Sequence, residues 1–244
     1  MPGPLDLALV LLFVVLGPLL EYAVWWPRHV RAVDAGVANA RERFYGRIII
    51  EEWLFAGAVI AVMLHAGRPL DVLWLRLPQG WRLWVGVAVP LAYGVMVLTQ
   101  GRALATRPAS LARLRQTLQP LRAFIPHTSR EYRLFVPLGL TAGICEELLC
   151  RGYLVWVLAH WLGLWGAAGA SAVLFGLAHA YLGPQHIVRA FFTGVAMSLL
   201  TLATGSLLPA MAMHALIDLG SSWITNMAVR EPVAPLAASV GSAG

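Results

Sequence analysis

Glu146, Glu147 and Arg151 fall within six residues of one another, inside an otherwise apolar run, 134–161. No other feature narrows the fold as much. A membrane-spanning helix needs roughly 20 apolar residues, so this run is long enough. A charge at the centre of such a helix costs about 2.5–3.5 kcal/mol on insertion scales. Three of them are tolerated only where they turn into a bundle and meet partners there, so the chain must surround this run with other helices.

The rest of the chain is built to do so. Hydrophobic residues make up 59% and charged ones 12%, with a mean hydropathy of +0.71. A water-soluble domain carries about 25% charged residues. The composition excludes a soluble protein and predicts an all-α, polytopic membrane helix bundle. Every basic residue behind the net charge of +6 is arginine, and no lysine occurs. That usage, with abundant Ala, Gly, Leu and Val, suits a GC-rich bacterial genome and a bacterial plasma membrane. The arginines belong to loops at a membrane surface. No basic, aromatic-interleaved soluble segment is available for nucleic acid.

Apolar runs predict spans at 5–26, 48–64, 83–99, 134–161, 166–182, 187–203 and 208–227. The count is seven, or eight if the fourth breaks near Gly152. The first run lacks a basic leader and a small-residue cleavage site and contains Glu21, so it reads as a retained helix rather than a signal peptide. Glu51 and Glu52 lie about a turn inside the second span, where an interfacial position would let them meet headgroups or Arg47. Pro90 should kink the third. In the polar stretch 100–133, Leu111, Leu114, Leu118 and Leu121 recur at helical spacing between arginines, the pattern of an amphipathic helix on an anionic membrane surface. Loops 27–47 and 100–133 are the richest in arginine and fall on one side, which puts them in the cytoplasm and the N-terminus outside. The chain divides into N-terminal helices with the basic loop (1–133), a helical core (134–228) and a Pro/Ala/Ser/Gly-rich tail (229–244) expected to be disordered.

Few polar residues interrupt the later spans. Glu147 and Arg151 are i,i+4 with the carboxylate N-terminal, the favoured order for a helical ion pair. Glu146 points about 100° away and is free to face a cavity. His179 sits in the fifth span, and His214 in the seventh with Asp218 one turn later on the same face. Two chemistries are open. Glu146, His179 and His214 could hold zinc with one position left for water. Without metal, Glu146 and His179 could activate a water while His214 and Asp218 stabilise an oxyanion. Either way the reaction is hydrolysis within the bilayer. Cys145 and Cys150 point in different directions on one helix and lack C-x-x-C spacing, so neither a disulfide nor a cysteine metal site is expected.

Glu146-Glu147-x-x-x-Arg151, Phe175-x-x-x-His179 and His214-x-x-x-Asp218 resemble, in order, the three motifs of the CPBP (Abi) family, which includes the type II CAAX prenyl endopeptidases. The lead-in Thr204-Gly205-Ser206-Leu207-Leu208-Pro209 is similar to that of bacterial members, and the resemblance covers 130–227. It implies an intramembrane protease fold in which Glu146 activates water, His179 assists, and His214 with residue 218 holds the oxyanion or positions water. Asn often occupies that last place. An ionised Asp can only accept, so Asp218 would instead orient His214 or contact a metal. The implied partner is a membrane-anchored peptide in the lipid bilayer, with a prenylated CAAX C-terminus as the archetype. Two rivals stand beside this reading. One is a rhomboid-like serine protease built on Gly169-Ala170-Ser171-Ala172 and His214, which lacks the final Gly and leaves Glu146 and His179 without work. The other is a non-catalytic bacteriocin-immunity or assembly factor, or a transporter with a proton relay.

Overall fold

A computed structural model describes residues 1–230, and all regular structure among them is helical. α1 runs Pro4–Asp34 and passes through Pro18 and Pro27. Each proline removes a backbone donor and collides with the preceding turn. Each is accommodated by a widened π-helical stretch just before it, Leu11–Leu16 and Glu21–Trp25. α2 (Ala40–His65) and α3 (Trp81–Ala105) follow, and α3 continues through the buried Pro90. α4 (Pro108–Leu118) is short. α5 (129–162) opens on a capping box. Thr128 Oγ1 accepts from the Glu131 amide at 3.1 Å, and Glu131 accepts from the Thr128 amide at 2.9 Å.

α5 does not break at Gly152. It widens into a π-helical stretch at Leu148–Leu154 and turns back at Gly163, where a φ of +66° suits a residue without Cβ. α6 (164–178) returns from that turn. α7 (Pro184–Thr204) and α8 (Leu208–Arg230) complete the bundle. Among the described residues five stretches are long and apolar enough to cross a membrane: Pro4–Asp34, Ala40–His65, Trp81–Ala105, Ser129–Ala178 and Pro184–Thr204. The chain is an integral membrane protein. The helices outrun the predicted spans because their ends project beyond the apolar runs from which the spans were read. The expected tail overlaps α8 at 229–230, and the remainder lies outside the described residues.

Packing directions are legible in the contacts. Arg41 meets Glu131, Tyr45 meets Phe135 and Trp53 meets Thr141, a near-constant offset of 88–90 residues, so α2 and α5 run parallel. α8 crosses α5 the opposite way on small residues. A Cβ at Gly143 would lie 2.7 Å from the Ala215 amide, and one at Gly139 would lie 3.0 Å from Asp218 Cβ. Backbone-to-backbone contact of this kind is how membrane helices pack without a hydrophobic driving force. It sets α8, with His214 and Asp218, directly against the glutamates of α5.

The two arginine-rich stretches meet at one end of the bundle. Arg41 donates to the Arg122 carbonyl at 2.8 Å, Arg122 pairs with Asp34 at 2.9 Å, and His29 bonds the Ala123 carbonyl at 2.9 Å. Trp81, Trp84, Trp161 and Trp165 are exposed near the opposite end, as in an interfacial aromatic belt. α4 differs from the surface helix expected there. Leu111 is buried, Leu118 and Leu121 face the bundle's cavity, and Arg115 donates at 2.7 Å to the carbonyl of Ala228. Its apolar side is taken up by the protein because the C-terminal carbonyls of α8 need donors and the cavity needs a cover. Replacing Gly143 by Leu should force α5 and α8 apart and cost about 1–3 kcal/mol, the usual range for overpacking, read as a lower thermal midpoint in detergent.

Candidate active site

Glu147 and Arg151 are both within 1% of complete burial. Glu147 Oε1 accepts from Arg151 Nη1 at 3.1 Å and from His214 Nδ1 at 2.7 Å. The Arg151 guanidinium lies 4.1 Å from the centre of the Phe175 ring, and Gly194 makes room on α7, where a Cβ would come within 2.8 Å of Nη2. Nε and Nη2 have no hydrogen-bond partner among the described residues, so the aromatic face supplies part of what they lack. Phe175 also packs edge-on to the His214 ring at 5.9 Å and against His179 at 4.7 Å. One ring thus touches all three polar motifs.

Glu146, about 100° further round α5, turns into a cavity of about 750 Å³. The cavity's polar wall also carries Glu52, His179, His214 and Asp218, while Phe135, Leu138 and Phe192 contribute to an apolar wall. His179 Nδ1 donates to the Phe175 carbonyl at 2.9 Å, which leaves Nε2 for the cavity. His214 is pinned the same way by Glu147. Its Nε2 stands 3.8 Å from Glu146 Oε2 and 3.8 Å from Asp218 Oδ2. That is too long for a direct hydrogen bond and suits a bridging water. The order of residues is therefore Arg151, Glu147, His214, then cavity: a buried carboxylate fixes the tautomer and orientation of a histidine whose other nitrogen faces the reaction volume.

Several expectations change in detail. The sequence left orientation of His214 open to Asp218. Glu147 makes that bond instead, because the close approach of α8 at Gly143 delivers the His214 ring to it. Asp218 occupies the cavity wall with its side chain 34% exposed. Glu51 pairs with Arg47 at 2.8 Å near the basic end, whereas Glu52 turns inward to the cavity and is not interfacial. Adjacent helical residues diverge by about 100°, and this could have warned that Glu51 and Glu52 would not share one environment. Ser171, the nucleophile of the serine-protease alternative, is fully buried and donates to the Cys150 carbonyl at 2.8 Å, away from the cavity. Cys145 and Cys150 are free thiols.

Among the described residues no group of three His, Cys, Asp or Glu side chains is placed to hold a metal ion. Glu146, His179 and His214 line one cavity, but they do not form the three-ligand set a catalytic zinc requires.

Residues 128–220 match the family model described as type II CAAX prenyl endopeptidase Rce1-like. This is the family to which the three motifs pointed. The match begins at the Thr128 cap and ends just past Asp218, so it encloses Glu146, His179, His214 and Asp218. No curated protein and no solved structure matches the chain.

The buried ion pair generates a stability test. Arg151→Met leaves Glu147 in the interior without its guanidinium, with only the His214 donor, and should cost about 3–5 kcal/mol. Adding Glu147→Gln to it should recover most of that loss. Thermal midpoints of the two variants in detergent check the asymmetry.

Proposed function

We propose, on the premise that residues 128–220 constitute a type II CAAX prenyl endopeptidase Rce1-like domain, that the protein is an intramembrane endopeptidase. It hydrolyses a peptide bond near the C-terminus of a membrane-anchored substrate with water activated by Glu146. The observation that carries this reading is a cavity-facing carboxylate beside two histidines, each with one ring nitrogen already engaged. A structural salt bridge has no need of such an arrangement, whereas general-base catalysis does.

In the reaction, Glu146 accepts a proton from a water that attacks the scissile carbonyl carbon. His179 Nε2 accepts the water's second hydrogen and aligns it. His214, held by Glu147, presents Nε2–H to the developing oxyanion. Collapse of the tetrahedral intermediate breaks the C–N bond, and Glu146 passes its proton to the leaving amine. Asp218 accepts from ordered water bridged to His214 Nε2 and faces the charge of the doubly protonated ring. The steps need no metal ion. The apolar wall of the cavity suits a lipidated or branched apolar side chain, and a bacterial host directs the choice toward membrane-anchored peptides other than prenylated CAAX proteins.

We assign seven crossings: Gly163 divides 129–178 into two, and Leu208–Arg230 is the seventh despite His214 and Asp218. Loops 27–47 and 100–133 then lie together at the cytoplasmic face of a bacterial plasma membrane by the positive-inside rule. Leu118, Leu121, Phe124 and Ile125 of the second stretch line the cavity, which supports access from that face. Residues 1–133 act as the scaffold and cover, and 134–228 as the catalytic core.

Glu146→Gln, His179→Ala and His214→Ala should each lower kcat by at least about 100-fold, in line with the loss of a general base or oxyanion donor. The variants should still insert and purify, and a chelator should leave the wild-type rate unchanged. Comparative membrane proteomics of wild type against Glu146→Gln should reveal the accumulated, uncleaved substrate. A cellular phenotype that survives all three substitutions would support a scaffold or immunity role instead.

A further inference from the structure

Glu52 stands outside all three motifs, yet it shares the cavity with Glu146. Oε2 of Glu52 and Oε2 of Glu146 are both buried, and neither has a hydrogen-bond partner among the described residues. The charges acting most strongly on Glu52 are negative: Glu146 from α5, Asp218 from α8 and Glu51 on its own helix. Each histidine lining the same cavity has one hydrogen bond already made, His214 at Glu147, His179 at the Phe175 carbonyl and His186 at the Leu182 backbone. Arg47, the nearest basic residue in sequence, pairs with Glu21 and Glu51. Trp53, the next residue on α2, donates to Thr141 at 3.1 Å and locks α2 to α5 one turn before Glu146. Glu52 is therefore held at its level by packing.

Among the described residues no cation is paired with Glu52: Arg189 lines the same cavity without an ion pair to it, and His214 lies against Glu147 and Glu146. Two like carboxylates facing one cavity oppose each other's charge, and a buried oxygen with no donor is costly. A single proton relieves both problems. We infer that Glu52 is a second carboxyl of the catalytic centre, holding with Glu146 one shared proton and the nucleophilic water between them. Glu52 in its acid form donates to the water oxygen, and Glu146 in its ionised form accepts one of the water's hydrogens. On attack, the water's proton moves to Glu146 and its oxygen bonds the carbonyl carbon. When the C–N bond breaks, that proton passes from Glu146 to the leaving amine, and Glu52 keeps its own throughout. The arrangement follows the logic of paired carboxyl groups that hold one proton between them, so that one is neutral while the other is ionised.

The inference rests on the protease reading for its catalytic half but not for its proton. Two measurements on the full-length protein in detergent separate them. Infrared spectra at neutral pH should show a carboxylic-acid carbonyl band that disappears in Glu52→Gln and also in Glu146→Gln. With cleavable peptide, Glu52→Ala should lower kcat at least 30-fold with KM within threefold of wild type, and Glu52→Asp should recover part of the rate. Glu52→Gln should retain more activity than Glu52→Ala, because its amide still donates. Thermal midpoints of the Gln and Ala variants should be equal to or above wild type, whereas a purely structural Glu52 would give lower ones. A band unchanged in Glu52→Gln, or a Glu52→Ala rate within threefold of wild type, overturns the assignment. If the band behaves as expected while wild type cleaves nothing, the shared proton stands and the protease reading falls.

Discussion

The bond from His214 Nδ1 to Glu147 Oε1, itself held by Arg151, is the interaction on which the geometry of the site depends. It joins α8 to α5 in the interior, where water is scarce and an unmet charge is expensive. Every other placement at the site follows from it. Arg151 needs the Phe175 face, so α6 must fold back from Gly163 to supply it, and α7 must offer Gly194 to leave space. Once those helices are in place, His179 and Glu146 have no freedom to be anywhere but the cavity. Stability and chemistry share an atom here: the carboxylate oxygen that neutralises the arginine also orients the histidine.

Glycines supply the other half of the constraint. Gly139 and Gly143 let α8 approach α5 to backbone contact, which sets the distance between His214 and both glutamates. A flexible side-chain interface would leave that distance soft. Main-chain contact leaves it less room to vary, which is the preorganisation that the oxyanion role proposed for His214 calls for.

Much of this was legible in the sequence. Charge inside an apolar run demanded a bundle, and the i,i+4 spacing of Glu147 and Arg151 announced their pairing. The same 100° rule that separated Glu146 from Glu147 was available for Glu51 and Glu52. There, proximity to Arg47 drew both toward the membrane surface, although only Glu51 meets that arginine. The link between His214 and Glu147 was not legible, because it depends on how deeply α8 sinks into α5 and not on any local period. α4 misled for a related reason: an apolar stripe states that something will cover it but does not say whether lipid or protein does so.

α6 stops early. From the turn at Gly163 to residue 178 it has roughly 15 residues, about 22 Å at 1.5 Å per residue, short of the ~30 Å of a hydrocarbon core. The His179–Gly183 connection follows, with Tyr181 packed on Trp26, and Tyr181 and Leu182 line the cavity that Glu146 also faces. Its capacity can therefore be tuned at 180–193, by bulk added or removed on the rim, while the Arg151–Glu147–His214 chain beneath stays untouched.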